Sequence, residues 1–273
     1  MTISVTFLSS YLYCKRKLYL EQVLGLKFLA PDVTVKGTIR HNVLDLISKQ
    51  EKGIVLSISP ETVSQAEDKY ISFYSRNLVN SIKIQSNILE KHKINYFTLY
   101  NELWPWFKED AKMRAKYVSD FIEKHKIYGN ELWEKLTPKI ITELFVQSEI
   151  LELKGKIDRV EHDNQKYIPI EIKTGKAPRE GVWEAHMVQI GAYMMLLEDK
   201  LGKAVSEGKI HYLDSGERII KMNPYLKEEI IILKEKVKEV LSSKEVPDFC
   251  TNEKKCIKCP LKKECWEMGG RAF

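Results

Sequence analysis

Hydrophobic and polar positions change their period along this chain. Near the N-terminus, Phe7, Leu8, Tyr11, Leu12, Leu18 and Tyr19 recur at helical intervals, with Cys14 in their midst. A second helix is predicted from about Val35 to Ser48, with Ile39, Val43, Leu44 and Ile47 as its apolar stripe. Residues from about 60 to 135 are rich in Lys, Glu, Ile, Leu and aromatics and poor in Gly. They predict several helices with breaks near Pro105 and Gly129. Trp104, Trp106 and Trp133 in this stretch are read as packing into a core rather than as platforms for stacked bases, because burial is the commoner fate of tryptophan.

The period then shortens. ELFVQSEILELKGKIDRVE (Glu143 to Glu161) and Tyr167 to Thr174 predict strands joined by a turn at HDNQK. A strongly apolar helix is expected from about Trp183 to Leu201, and one or two short strands between His211 and Met222. Leu226, Ile230, Leu233, Val237 and Val240 predict an amphipathic helix over Pro224 to Ser242. A cysteine-rich tail follows Pro247, and there is no internal repeat or low-complexity linker.

The stretch YIPIEIKTG, Tyr167 to Gly175, puts an acid and a base into an apolar run. Successive strand side chains point to opposite faces, so Ile168, Ile170 and Ile172 share one face and Glu171 and Lys173 the other. Either that second face is solvated, or the charges are buried and need a partner or a metal. Asp158 ends GKID on the preceding strand, and Glu171 follows 13 residues later. Adjacent strands can bring those carboxylates together, and a divalent cation relieves their repulsion. Hard oxygen ligands select Mg²⁺ or Mn²⁺. Lys173 would enter the same site, to orient the attacking water and offset charge developing on a phosphate. Gln189 and Tyr193 stand four apart and share a helix face, and His186 lies near it.

Composition narrows the class only modestly. With 273 residues, 44% hydrophobic and 30% charged, the chain suits an ordinary soluble fold with a full core. The formal net charge of +6 is compatible with a nucleic-acid partner without establishing one. No apolar run approaches the ~20 residues that span a bilayer, and the N-terminus lacks a secretory pattern, so a cytoplasmic protein without a membrane partner is expected. Of five cysteines, four (Cys250, Cys256, Cys259 and Cys265) lie in the last 24 residues. In a reducing compartment such clustering points to a metal. Either these four form a zinc knuckle and Cys14 is a spectator, or an iron–sulfur site takes its remaining thiolate from Cys14.

Four segments in order, GTIRH at 37–41, GKID at 155–158, EIKTG at 171–175 and QIGAY at 189–193, resemble the signature of the RecB-like branch of the PD-(D/E)XK nuclease superfamily. The resemblance implies an α/β core with a mixed central sheet. It also implies metal ligation by His41, Asp158, Glu171 and the backbone carbonyl of Ile172. Lys173 would assist the nucleophile, and Gln189 and Tyr193 would position substrate or Lys173. SSYLYCKRKLYLE resembles the first cysteine segment of RecB-like nucleases that carry an iron–sulfur cluster. The implied ligands are Cys14, Cys256, Cys259 and Cys265, with Cys250 as an extra, and [4Fe–4S] is favoured over [2Fe–2S]. Such a cluster would staple the N- and C-terminal segments together.

With no helicase motor and no Walker-type phosphate loop, the chain resembles a stand-alone CRISPR-associated RecB-like nuclease, the fourth of the numbered Cas families. His41 and Asp158 are separated by 116 residues, more than in compact members, which implies a helical insertion. The expected layout is an N-terminal helical segment (1–50), the insertion (51–140), a nuclease core (141–223), and a C-terminal helix with the cysteine motif (224–273). The implied activity is Mg²⁺- or Mn²⁺-dependent exonucleolytic cleavage of single-stranded DNA or single-stranded ends, trimming DNA for spacer capture beside the CRISPR integrase. The alternatives are a repair or recombination nuclease of the same fold, a non-catalytic DNA-binding iron–sulfur subunit, and a zinc-bearing nucleic-acid-binding module.

Overall fold

The computed structural model describes residues 1–28, 32–163, 166–213 and 215–268. Asn164 and Gln165, in the expected HDNQK turn, lie outside the described residues. The chain opens with β1 (Ile3–Ser4), α1 (Val5–Tyr13) and α2 (Lys15–Gln22). There follow α3 (Asp32–Leu56), a 3-10 turn (Val63–Gln65), α4 (Ala66–Ile84), α5 (Ser86–Lys91), α6 (Tyr96–His125) and α7 (Gly129–Lys135). Strands β2 (Lys139–Ser148), β3 (Leu153–His162) and β4 (Tyr167–Lys173) precede α8 (Glu184–Leu201). The chain closes with β5 (Glu207–Tyr212), β6 (Gly216–Lys221), α9 (Pro224–Ser242), α10 (Glu253–Ile257) and α11 (Lys262–Glu267). Two compact units result, one of Met1–Pro31, Leu144–Val160 and Lys166–Phe273, the other of Asp32–Glu143 and Glu161–Gln165.

The first unit is α/β, around a mixed sheet of strand order β1-β3-β4-β5-β6, with β2 paired to β3. β1 runs parallel to β3, β4 parallel to β5, and β5 antiparallel to β6. β4 is flanked by strands on both sides, and Ile170, Glu171 and Ile172 are all buried, so both of its faces are covered. That explains a nearly continuous apolar run, as in other buried parallel strands. It also removes the solvated-face reading of Glu171.

Helix α8 packs on α1, β4 and β5, and α9 packs on α8, α1 and α2. A Cβ on Gly191 would come within 2.8 Å of Ile230 Cδ1, so this glycine lets α8 and α9 approach closely. The bounds of α9 follow from local chemistry: Asn223 caps its first turn by accepting from Leu226 N, and Pro224 occupies the start, where no N–H is needed.

The N-terminal segment departs from a single helix. Cys14 is extended (φ −168°, ψ 112°), ends α1 and starts α2, where its Sγ accepts from Lys17 N at 3.4 Å. The thiol thus acts as an N-cap, in the manner of a serine hydroxyl.

The second unit is mainly helical: α4 packs on α6, and α3 on α4 and α7. The expected break at Pro105 is absent, because α6 continues through it. An interior proline costs about 3 kcal/mol, which the burial of Leu99, Leu103, Phe107 and Ala111 along one face outweighs. Gly129 does mark a boundary, with φ +62° at the start of α7. Trp104, Trp106 and Trp133 are only partly buried rather than core residues, and Trp104 stacks on Tyr100 with centroids 5.7 Å apart. No described helix is long and apolar enough to cross a membrane.

Candidate active site

In the first unit, β4 and α8 bring Glu171, Lys173, Gln189 and Tyr193 into one hydrogen-bonded chain. Lys173 Nζ donates to Glu171 Oε1 at 2.9 Å and to Gln189 Oε1 at 2.8 Å. Gln189 Nε2 donates to the same Glu171 oxygen at 2.8 Å and lies 3.3 Å from Tyr193 Oη. The pairing follows from periodicity: Glu171 and Lys173 alternate to one face of β4, and Gln189 and Tyr193 are one helical turn apart. Glu171 is 6% exposed, and its second oxygen, Oε2, is buried without a hydrogen-bond partner. A buried carboxylate oxygen left bare costs free energy unless something cationic or hydrogen-bonding meets it. The donor chemistry here therefore fits a hard divalent cation.

Asp158, on β3, accepts from Ile172 N at 2.8 Å, which fixes the carboxylate against the backbone of the residue whose own carbonyl was an expected ligand. Gly155 in the same GKID segment makes room for the site. A Cβ there would fall 2.6 Å from the Tyr193 ring, so the glycine lets that ring approach the strand closely. His186 Nδ1 is 2.8 Å from Tyr212 Oη, and Tyr212 pairs with Lys173 in the β4–β5 register. Burial, and then the charge of Lys173, push the His186 pKa down to about 4, so its imidazole is neutral at pH 7.

His41 belongs to the second unit, on α3, where its Nδ1 lies 3.5 Å from Glu143 Oε1. Glu143 was not singled out from the sequence. It has φ +52°, a left-handed conformation that non-glycine residues adopt at a cost and that recurs at functional sites. Its only signal in the sequence is one acid within an apolar strand, which is too common to select it.

All five cysteines line one cavity in the first unit, together with Tyr13, Lys17, Leu20, Phe249 and Trp266. Thiols from both chain segments therefore converge. Burial, followed by the neighbouring Cys250, pushes the Cys256 thiol up to about 11, and burial also raises Cys14 and Cys259. Crowded, desolvated thiols are a soft donor set whose deprotonated form a metal would favour. Among the described residues, however, no three cysteine sulfurs lie within 4.8 Å of one another, so no compact tetrahedral set is drawn up.

These features converge on a known class. The family model of the PD-(D/E)XK nuclease superfamily matches residues 2–266, and the chain belongs to that superfamily. Three curated relatives sharpen the likeness. The chain is 32% identical over 148 residues to a CRISPR-associated exonuclease Cas4/endonuclease Cas1 fusion of Leptospira interrogans, covering 50% of this chain and 27% of the relative. It is 27% identical over 128 residues to a fusion of the same description from Myxococcus xanthus, covering 45% and 22%. It is 30% identical over 114 residues to a CRISPR-associated exonuclease Cas4 of Thermoproteus tenax, covering 41% and 59%. The chain thus spans about a quarter of each fusion and three fifths of the stand-alone relative. The family expected from the four motifs is the family matched.

Proposed function

We propose that this chain is a divalent-metal-dependent DNA exonuclease that acts on single-stranded DNA or single-stranded ends and prepares DNA for CRISPR spacer capture, working beside the integrase. The observation that carries the reading is Glu171, whose Oε1 is clamped by Lys173 and Gln189 while its buried Oε2 has no partner. His41, Asp158, Glu171 and the Ile172 carbonyl would hold Mg²⁺ or Mn²⁺. That ion, when bound, would polarise the scissile phosphate and make its water a nucleophile near neutral pH. Lys173 presents a fixed ammonium beside Glu171, oriented by two acceptors, to donate to the attacking water or a phosphate oxygen. Gln189 holds Lys173 in place, and Tyr193 in turn meets the Gln189 amide. Neutral His186 adds no competing positive charge next to Lys173.

Cys14, Cys256, Cys259 and Cys265 would carry an iron–sulfur cluster, [4Fe–4S] in preference to [2Fe–2S], that joins the two terminal segments. This is supported by the convergence of thiols from both segments on one cavity. The fused relatives, named as exonuclease Cas4/endonuclease Cas1, support the integrase as partner. A nuclease assay on 5′- and 3′-end-labelled single and double strands, with Mn²⁺ or with chelator, tests the proposal. Stepwise shortening of single strands that stops with chelator is expected. Metal-independent cleavage, or no cleavage of any DNA, would overturn it.

A further inference from the structure

Arg16 is absorbed by none of the chemistry above, yet it is one of the most heavily engaged side chains in the first unit. It is 5% exposed. Its Nε lies 3.1 Å from Cys265 Sγ, one terminal nitrogen donates to Pro247 O at 2.7 Å, and the other to Cys265 O at 3.3 Å. The guanidinium carbon stands 4.0 Å from the centre of the Phe249 ring. A guanidinium has five N–H donors in a rigid fork, and the partners of this one among the described residues lie between Pro247 and Cys265.

Among the described residues, the contacts of Arg16 include no carboxylate. A buried cation without a carboxylate is costly unless negative charge arrives from elsewhere. Thiolates bound to a metal would bring that charge, and the nearest sulfur is already in line with Nε.

We propose that Arg16 is the positioning residue of the cysteine cavity. It clasps the C-terminal tail onto α2 through three acceptors and a ring, and donates an N–H···S hydrogen bond to Cys265 that tunes a bound cluster. The second half rests on the iron–sulfur reading above; the clasp does not. Reduction adds negative charge to a cluster, so a hydrogen-bond donor and a positive charge beside a ligand sulfur favour the reduced form. Removing them lowers the reduction potential.

The test uses the full chain purified without oxygen, as wild type, Arg16→Gln and Arg16→Lys. Iron, zinc and acid-labile sulfide are measured first, then the midpoint potential by spectroelectrochemical titration. Limited digestion with trypsin, which has sites at Lys254, Lys255 and Lys258, reads the tail. Arg16→Gln should load less iron, show a lower potential and lose its tail faster. Arg16→Lys keeps the charge but not the fork, so its potential should lie nearer wild type while its tail is still cut faster. Equal potentials and equal cleavage rates in all three proteins would overturn the proposal. Wild type without iron would sink the cluster reading and the tuning role together, and the digestion would still decide the clasp. Should Arg16→Gln fail to fold, Arg16→Lys carries both comparisons.

Discussion

Two buried glutamates, one in each unit, show how a carboxylate serves the fold and how it serves chemistry. Glu51, 4% exposed in the helical unit, has both oxygens occupied. Its Oε1 accepts from Arg114 Nε at 2.5 Å and Tyr70 Oη at 3.0 Å, and its Oε2 accepts from Arg114 at 3.3 Å. Glu171, equally buried in the sheet unit, places a lysine and an amide on one oxygen and leaves the other bare. Burial and an adjacent cation are common to both sites. The difference lies in saturation: the structural carboxylate is fully paired, and the candidate ligand keeps one oxygen in reserve.

The largest expected effect separates the two on activity. Glu171→Ala should bring cleavage to background while DNA binding largely survives, because basic contacts to phosphates supply most of such affinity. Gel-shift and cleavage assays on one preparation check it, and wild-type cleavage by the variant would remove Glu171 from the site. Next, Glu51→Ala strands Arg114 in the interior and should destabilise the protein by about 3–5 kcal/mol in urea unfolding. Glu171→Ala should cost less stability, since Lys173 keeps its bond to Gln189 and is 20% exposed. If the two variants lose equal stability, the contrast between saturated and reserved carboxylates fails.

Lys173→Ala should retain divalent-ion binding and slow cleavage by about 10²–10³-fold, the usual loss for one aligned donor to developing charge. The smallest effect concerns pH. The His186 pKa falls from 6.5 to about 4 in the folded protein, so as pH drops the unfolded chain takes up this proton first. His186 therefore contributes a loss of stability that begins near pH 6.5 and is complete below about pH 4. Melting curves of wild type and His186→Gln across that window should show the shallower decline in the variant.

Legibility from the sequence followed how locally each feature is determined. Helix α9 was readable end to end, because Pro224 at its start and a clean apolar stripe both act within a few residues. EIK was readable because two charges in an isoleucine run demand an explanation, and Gln189 and Tyr193 because four-residue spacing fixes a shared face. Pro105 misled, since packing along α6 overrides a local breaker. The break at Cys14 was invisible, because SYLYCKRKLYL has neither Gly nor Pro and the thiol itself does the capping. The partial burial of the three tryptophans, and the pairing of Glu143 with His41, depend on contacts between distant segments and leave no local mark.

The central claim is that Glu171 Oε2 is reserved for a divalent cation. Calorimetric titration of Mn²⁺ into wild type and Glu171→Gln tests it most directly, because the substitution keeps the shape and the clamped oxygen while exchanging the free oxygen for an amide. Wild type should bind Mn²⁺ with a heat that Glu171→Gln loses, at unchanged melting temperature. Equal Mn²⁺ binding by the two proteins would contradict the account.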